Sequence, residues 1–256
     1  MNNRERVKAI LHYENYDKMP IVHFGYWNEL LEKWYNEGHL TEQEAHTYGD
    51  GNETDKKIAD KLGFDFCWTC NIGAHNGLLP GFEYKLLEQQ DDGFVIYQNG
   101  NGLIEKTRSG AGSIPATVGT LLTGRKAWEE LYKPKLQPNT GRYNFEYLQT
   151  HAKEFDAITD RPVGMHLGSL YGAIRDMLGV EQLCYIQVDD EDLFNEIIDT
   201  VANLCYENAK AILQSGIKPD FGHYWEDICF KNGPLVNPKV FKEKVGPHYR
   251  KISDVL

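Results

Sequence analysis

The sequence predicts an α/β fold built on a mostly parallel sheet. Three observations lead to this prediction: short apolar runs of strand length, amphipathic segments between them, and a separate Asn-Gly hairpin signal. Strands that alternate with helices indicate parallel pairing through crossover helices. The four central strand candidates are IVHFGYW at 21–27, FDFCW at 64–68, RPVGMHL at 161–167 and PDFGHYW at 219–225.

Helices are predicted where apolar residues recur at a period near 3.6. In the longest of them, acidic residues crowd the first turn and Gly216 ends the helix. Gly63 likewise ends an earlier helix, before the second strand. The predicted helices are 4–13, 53–62, 126–136, 143–155, 168–179, 189–216 and a segment that begins after Pro238.

A β-hairpin is predicted in the middle of the chain. The segments GFVIYQ at 93–98 and GLIEKT at 102–107 flank Asn-Gly-Asn, and Asn-Gly favours the tight turn that such a pair needs. Four central strands and one hairpin are too few to close an eight-stranded barrel.

Composition and charge exclude several classes of protein. The chain has 256 residues, 41% of them hydrophobic, and a formal net charge of −11. Nucleic acids and anionic membranes both require a basic face, so neither is an expected partner. No apolar run approaches the length of a membrane span, and the N-terminus lacks the apolar centre of a signal peptide. Five cysteines fit a reducing compartment better than a disulfide framework, so a cytoplasmic location is expected.

Three segments carry a resemblance to a known family. They are NRERVKAILHYENYDKMPI near the start, GSLYGAIRDMLGVEQL in the middle and WEDICFKNGPLVNPKVFKEKVGPHYRKI at the end. In order and spacing they resemble the uroporphyrinogen decarboxylase superfamily, over residues 3–27 and about 160–256. The resemblance implies a TIM (β/α)₈ barrel. With the strands counted above, residues 1–256 would form the N-terminal two-thirds of one barrel domain, with an inserted β-hairpin and the last strands absent.

The resemblance leaves the reaction open between branches of the superfamily. Its decarboxylases have paired arginines near the first strand and an aspartate near the second, which hold a polyacidic tetrapyrrole. This chain has no arginine between Arg6 and Arg108, and Cys70 and Asn71 stand near the aspartate position. The leading hypothesis is therefore a methyltransferase-like enzyme acting on a small methylated or corrinoid substrate. The alternatives are uroporphyrinogen III decarboxylase of porphyrin and haem biosynthesis, and a truncated, non-catalytic binding protein.

Cofactors and partners follow from the same resemblance. The methyltransferase branch binds zinc through a His-x-Cys element on the next strand and a later cysteine, both expected after Leu256. No metal ligand is therefore assigned in this chain. Cys67 and Cys70 form a single Cys-x-x-Cys pair that is expected to be structural, with a redox or zinc role as the alternative. Zinc and a corrinoid are expected only of the full-length protein. The expected partners are a small-molecule substrate, a corrinoid protein and a second copy of the chain.

Candidate site residues lie at the C-terminal ends of strands, where barrel active sites occur. The alternation of a strand places His223, Trp225 and Asp227 on one face and Glu226 on the other. Tyr171 stands at the family's pocket tyrosine. Alternatives remain open: Tyr171 as a packing residue, and Glu226 or Asp227 as a cap of the next turn. The predicted catalytic residues are Asp227, Tyr171 and His223, and the predicted substrate-binding residues are His23, Tyr26, Trp27, Asn71, His75, His166, Trp225, Glu226 and Asn232.

Overall fold

The protein has an α/β fold, as the sequence predicts. The computed structural model describes residues 1–108 and 114–256, with all side chains except those of Cys70 and Asn71. The α-helices are α1 (Asn3–Leu11), α2 (Asn28–Asn36), α3 (Glu42–His46), α4 (Glu53–Leu62), α5 (Arg125–Ala127), α6 (Phe145–Ala157), α7 (Tyr171–Asp189), α8 (Glu191–Leu213), α9 (Pro238–Val240) and α10 (Gly246–Ser253). Four further turns are π-helical, at Trp128–Tyr132 and Phe241–Val245, or 3₁₀-helical, at Lys133–Leu136 and Thr140–Arg142.

The strands form four small sheets in the described ranges. β1 pairs with β2 in parallel, β3, β8 and β9 follow one another in a second sheet, β4 to β7 form an antiparallel sheet, and β10 pairs with β11. Their bounds are β1 (Val22–His23), β2 (Phe66–Cys67), β3 (Cys70–Gly73), β4 (Lys85–Gln89), β5 (Phe94–Gln98), β6 (Leu103–Arg108), β7 (Ala116–Thr120), β8 (Gly164–Gly168), β9 (Phe221–Tyr224), β10 (Cys229–Phe230) and β11 (Gly233–Pro234).

The central strands are shorter than predicted. β1 stops at His23, and Gly25 then takes a φ of 134°, a conformation that favours glycine. β9 stops at Tyr224, so the predicted alternation of side chains does not extend to Asp227. The Cys-x-x-Cys pair does not lie on one strand, since β2 ends at Cys67 and β3 begins at Cys70.

The predicted hairpin is the centre of the four-stranded antiparallel sheet. β5 and β6 pair as expected, and Asn99 Oδ1 accepts the backbone N–H groups of Asn101 (2.9 Å) and Leu103 (3.0 Å) in the turn between them. Gly102 has a φ of 81° there. The flanking strands β4 and β7 were not predicted, because their sequences lack a clear apolar alternation.

Most helices lie where periodicity places them. The apolar residues that keep the helical period in the longest helix are all buried on α8: Leu193, Ile197, Val201, Leu204 and Ile212. Asp190 caps the start of α8 by accepting the N–H of Leu193 at 2.9 Å. Gly63, with a φ of 78°, caps the end of α4. α7 extends to Asp189, but Gly179 has non-helical backbone angles (φ 76°, ψ 163°). The first helical stretch therefore ends where the sequence predicts, and a second stretch that was not predicted follows it. The predicted helix at 126–136 is irregular, with one α, one π and one 3₁₀ turn.

The chain divides into two compact units, each made of separate segments. The first unit contains Met1–Ile72, His151–Met165 and Lys218–Phe221, and the second contains Gly73–Thr150, His166–Ile217 and Gly222–Leu256. In the first unit, Arg4 Nε donates to Asp220 at 2.7 Å, and one guanidinium nitrogen of Arg4 donates to three carbonyl groups at 155–158. No helix of the described residues combines the length and apolar character that crossing a membrane requires.

Candidate functional site

A cavity of about 360 Å³ lies in the second unit. One wall, residues 74–78, follows the end of β3. Another is formed by His166, in the middle of β8, and by Ser169, which follows the end of that strand. β3 and β8 are neighbours in their sheet. The C-terminal ends of neighbouring strands are the usual position for ligand sites in α/β proteins. The cavity is lined by both polar and apolar side chains, among them those of Asn76, Leu136, His166, Ser169, Asp176 and Met177.

Arg142 holds the wall at 74–78 in place. Its guanidinium is buried and donates to four backbone carbonyls: His75 and Gly77 at 2.8 Å, Gln137 at 2.9 Å and Lys135 at 2.6 Å. The two carbonyls at 75 and 77 belong to the wall itself. Burial lowers the pKa of Arg142 from its ordinary value. The four carbonyl dipoles compensate the buried charge, so this arginine positions the cavity wall.

A second polar contact fixes the same wall from α8. Asn208 is buried, and its amide nitrogen donates to Asn76 Oδ1 at 2.9 Å. Close by, Gly168 has a φ of 103°, and a Cβ added there would lie 2.5 Å from Cys205 Sγ. Glycine is therefore required at the end of β8, where the backbone passes against α8.

Two imidazoles lie close together beside the cavity. The rings of His166 and His223 have centroids 6.1 Å apart, and the Trp225 ring is 6.1 Å from that of His223. Burial lowers the pKa of both histidines, and the neighbouring His223 lowers that of His166 further. Both rings are therefore neutral near pH 7. A neutral imidazole can accept a proton or a hydrogen bond from a ligand in the cavity.

We expect the stability of the protein to fall in mild acid. The pKa values of His166 and His223 are lower in the folded chain than in the unfolded chain, where a histidine has a pKa of about 6.5. The unfolded chain therefore binds more protons as the pH falls below about 6.5, and the stability that is fully present above this pH is progressively lost. Urea unfolding at about pH 7.5 and about pH 5.5 measures the loss.

Matched variants assign this pH dependence. The substitution His166→Gln should reduce the stability loss between the two pH values, since one proton-binding group of the unfolded chain is removed. The substitution His39→Gln, at an exposed position, should leave the loss as in the wild type. An unchanged pH dependence in His166→Gln would contradict the assignment.

Tyr171 does not line the cavity. Its side chain is buried, and its hydroxyl accepts a hydrogen bond from the Gln187 amide at 3.0 Å. Burial raises the pKa of Tyr171 to about 12. This geometry agrees with the alternative interpretation of the sequence, in which Tyr171 is a packing residue. The first interpretation was that Tyr171 is catalytic.

Glu226 caps α7. Its carboxylate accepts the backbone N–H groups of Leu170 (2.8 Å), Tyr171 (2.9 Å) and Gly172 (2.6 Å). The N-cap residue Leu170 has no capping side chain, and Ser169 Oγ accepts only the N–H of Ala173 (3.1 Å), so Glu226 satisfies the N–H groups of Tyr171 and Gly172. Burial raises the pKa of Glu226, while these three donors act in the opposite direction. The backbone N–H groups at the start of α7 account for the position of this carboxylate. The predicted contact of Glu226 with substrate is not needed to explain that position.

The other residues predicted from the last segment are exposed. The Asp227 side chain is 70% exposed, and Arg175 approaches both its carboxylate (3.8 Å) and its carbonyl oxygen (2.7 Å). Asn232 lies in the exposed turn between β10 and β11.

His75 is on the cavity wall, where its Nε2 donates to the Leu78 carbonyl at 2.9 Å. The geometry thus brings His75, His166, His223 and Trp225 to one region.

The remaining candidates belong to the first unit. His23 is buried and its ring stacks on Tyr26, with centroids 4.7 Å apart. Trp27 is exposed and precedes α2. The predicted Asn71 lies outside the described side chains. Sequence reasoning missed Asn76, Arg142 and Asp55, because each has a local pattern typical of a turn or a helix start.

Metal-binding potential is confined to the first unit in the part of the chain that the structure describes. Among the described residues, one group of side chains could hold a metal ion, and its members are His23, Asp55 and Cys67. Their ligand atoms all lie within 4.8 Å of one another. The cavity beside His166 has no such group among its described residues. The zinc that the resemblance implies is therefore not assigned to the cavity.

Comparisons with known proteins give one similarity. No protein-family model matches the chain, and no curated protein matches it. A solved structure of a methyltransferase from Methanosarcina mazei is similar, with 14% sequence identity and a TM-score of 0.47. The alignment covers 97% of this chain and 65% of the methyltransferase chain. The present chain therefore spans about two-thirds of that protein's length.

Proposed function

We propose that this chain is the N-terminal part of a uroporphyrinogen decarboxylase-type barrel enzyme that acts on a small methylated substrate. The cavity beside His166 is the proposed substrate site. The observation that carries the proposal is the position of this cavity at the C-terminal ends of β3 and β8, with a neutral imidazole in its wall. The three segments that resemble the superfamily support the assignment to this type of barrel.

The size and charge of the cavity favour a small, uncharged or cationic substrate. Its volume is near the lower end of the range of about 300–1,000 Å³ typical of small-molecule sites. Among the described residues that line it, none is lysine or arginine, and Asp176 is acidic. A tetrapyrrole with many carboxylates requires cationic partners, so the cavity favours methyl transfer over uroporphyrinogen decarboxylation.

Each wall residue has a defined role in this proposal. His166 accepts a proton or a hydrogen bond from the substrate, and Met177 and Leu136 supply apolar surface for a methyl group. Asn76, whose oxygen is engaged by Asn208, offers its amide nitrogen as a donor. A corrinoid protein is the proposed methyl-group partner. Zinc is proposed for the His-x-Cys element expected after Leu256, and none of the roles above depends on it.

Binding of small methylated compounds tests the proposal. Saturation-transfer NMR with methanol, methylamines and dimethyl sulfide should detect binding of at least one compound to the purified chain. The substitution His166→Gln should weaken this binding by about tenfold, the equivalent of about 1.4 kcal/mol for one lost hydrogen bond. His39→Gln is the matched control and should bind as the wild type does.

Three results would overturn the proposal. The first is that no compound of the panel binds, and the second is that binding is unaffected by His166→Gln. The third is that incubation with uroporphyrinogen yields coproporphyrinogen, because this product identifies the decarboxylase.

A further inference from the structure

Three segments of the first unit bring a histidine, an aspartate and a cysteine together. β1 and β2 are paired in parallel, with His23 directly opposite Cys67 in the register. Residues that are opposite in a parallel pair project to the same side of the sheet. Asp55, in the first turn of α4, completes the group.

The group contains buried polar atoms with no hydrogen-bond partner. His23 is 7% exposed and Asp55 is 1% exposed. In the described residues, both ring nitrogens of His23 and the Oδ1 atom of Asp55 lack a partner, whereas Asp55 Oδ2 accepts the N–H of Gly51 at 2.9 Å. An unsatisfied buried polar group costs about 1–3 kcal/mol, and more when it is charged. Three such atoms in one place indicate that something else satisfies them.

A simple His–Asp pair accounts for only part of this arrangement. His23 Nε2 lies 3.4 Å from Asp55 Oδ1, so a small shift would form one hydrogen bond. That bond would leave Nδ1 of His23 unsatisfied. A hydrogen bond from the Cys67 thiol to the Asp55 carboxylate accounts for the thiol, but it likewise leaves Nδ1 of His23 without a partner.

The donor atoms have the chemistry and spacing of a zinc site. Imidazole nitrogen, carboxylate oxygen and thiolate sulfur are the three ligand types that zinc accepts from proteins. Bond lengths of about 2.0–2.3 Å in a tetrahedron place ligand atoms about 3.3–3.8 Å apart. The His23–Asp55 separation of 3.4 Å already fits, and the widest separation, within 4.8 Å, requires a movement of about 1 Å.

Charge and access agree with a divalent ion. A zinc ion bound by one carboxylate, one thiolate and one neutral imidazole gives no net charge, which is suited to a buried site. Asp55 and Cys67 also line a second cavity, of about 180 Å³, that gives solvent a path to the group.

We propose that His23, Asp55 and Cys67 bind one zinc ion, with the fourth position open to a water molecule from the adjacent cavity. The Cys67 thiol loses its proton to solvent as the ion enters, so that a sulfur–zinc bond replaces the S–H bond. Tyr26 stacks on His23 and fixes the plane of the imidazole. These ligands differ from the His-x-Cys element that the family resemblance implies, and the site does not depend on the proposed function.

Metal binding to the purified chain tests the site directly. After incubation with excess Zn²⁺ and gel filtration, elemental analysis should find one zinc ion per chain. Titration with Co²⁺ should give the intense visible bands of tetrahedral cobalt and a thiolate-to-cobalt charge-transfer band in the near ultraviolet. Zn²⁺ should raise the melting temperature, because the ion binds the folded chain only.

Conservative variants identify the ligands. Cys67→Ser should abolish the charge-transfer band, and Asp55→Asn should weaken zinc binding by at least about tenfold. Asp55→Asn keeps an oxygen for the N–H of Gly51, so it should still fold, and circular dichroism checks this for both variants. Cys184→Ser, at an exposed cysteine, is the matched control and should bind like the wild type.

The proposal is overturned if the wild-type chain retains no zinc and shows no charge-transfer band. It is also overturned if Cys67→Ser keeps the wild-type cobalt spectrum, since another thiol would then be the ligand. Neither result bears on binding of methylated compounds near His166, which is measured separately.

Discussion

Replacing Arg142 with methionine should lower the free energy of unfolding by about 3–5 kcal/mol. Methionine fills much of the same volume but donates no hydrogen bond, so four carbonyls of the second unit lose their donor. Each buried unsatisfied acceptor costs about 1–3 kcal/mol, and local relaxation toward water recovers part of the sum. Urea denaturation of the wild type and the variant measures the difference.

Two further variants separate this effect from the general loss of an arginine. Arg142→Lys should be intermediate, because one ammonium group cannot reach carbonyls that lie on different sides of a planar guanidinium. Arg250→Met removes an exposed arginine from the same unit and should change stability little. If Arg142→Met were as stable as Arg250→Met, the four hydrogen bonds that Arg142 donates to backbone carbonyls would not stabilise the protein.

Replacing Asp220 with asparagine should destabilise the first unit by a similar amount, about 3–5 kcal/mol. The Asp220 side chain is 3% exposed, accepts from Arg4 Nε at 2.7 Å and also accepts the N–H of Val163 at 2.8 Å. Asparagine preserves the shape but leaves the guanidinium of Arg4 without its counter-charge. Thermal and urea unfolding should both show the loss.

A surface pair provides the comparison. Arg6 donates to Asp17 at 2.6 Å and lowers the pKa of that carboxyl group well below its usual range. The Asp17 side chain is 44% exposed, against 3% for Asp220, so solvent screens its charge and Asp17→Asn should be much milder than Asp220→Asn. Equal effects of the two substitutions would contradict the role assigned to burial. The double variant Arg4→Met with Asp220→Asn should cost less than the sum of the single variants, because the orphaned charge is removed.

Helices were predicted well because their signals are local. The stripe from Leu193 to Ile212 faces the core of the second unit as periodicity predicts. The caps at Gly63 and Asp190 are residues that directly adjoin their helices in the sequence, so local patterns are enough to predict them. Gly179 interrupts α7 as its local signal predicts, but a second helical stretch follows it to Asp189, which that signal does not indicate.

Strand ends and the site were harder to predict, because distant partners determine them. Glu226 looked like an acid at a strand end, yet it satisfies helix donors more than fifty residues earlier in the chain. Arg142 acts only on backbone carbonyls, which have no sequence signature. Asp55 looked like an ordinary acid of a first helical turn. The register of β1 with β2 brings His23 opposite Cys67, and α4 brings Asp55 to the same pair.

Of the residues predicted for the site, His75 and His166 line the cavity, and His223 lies beside His166. These three follow from the general rule that strand ends form ligand sites. Asp227 and Tyr171 show why the rule does not assign roles: one side chain is largely exposed and the other is buried with its hydroxyl already paired.

The interleaved segments of the first unit have a consequence for biosynthesis. Arg4 and Asp220 are 216 residues apart, and Lys218–Phe221 is the last segment that this unit requires. A nascent chain cannot complete the unit until this segment has left the ribosome, although α1 emerges first. Such long-range closure is slow and leaves early segments open to chaperones and proteases during translation.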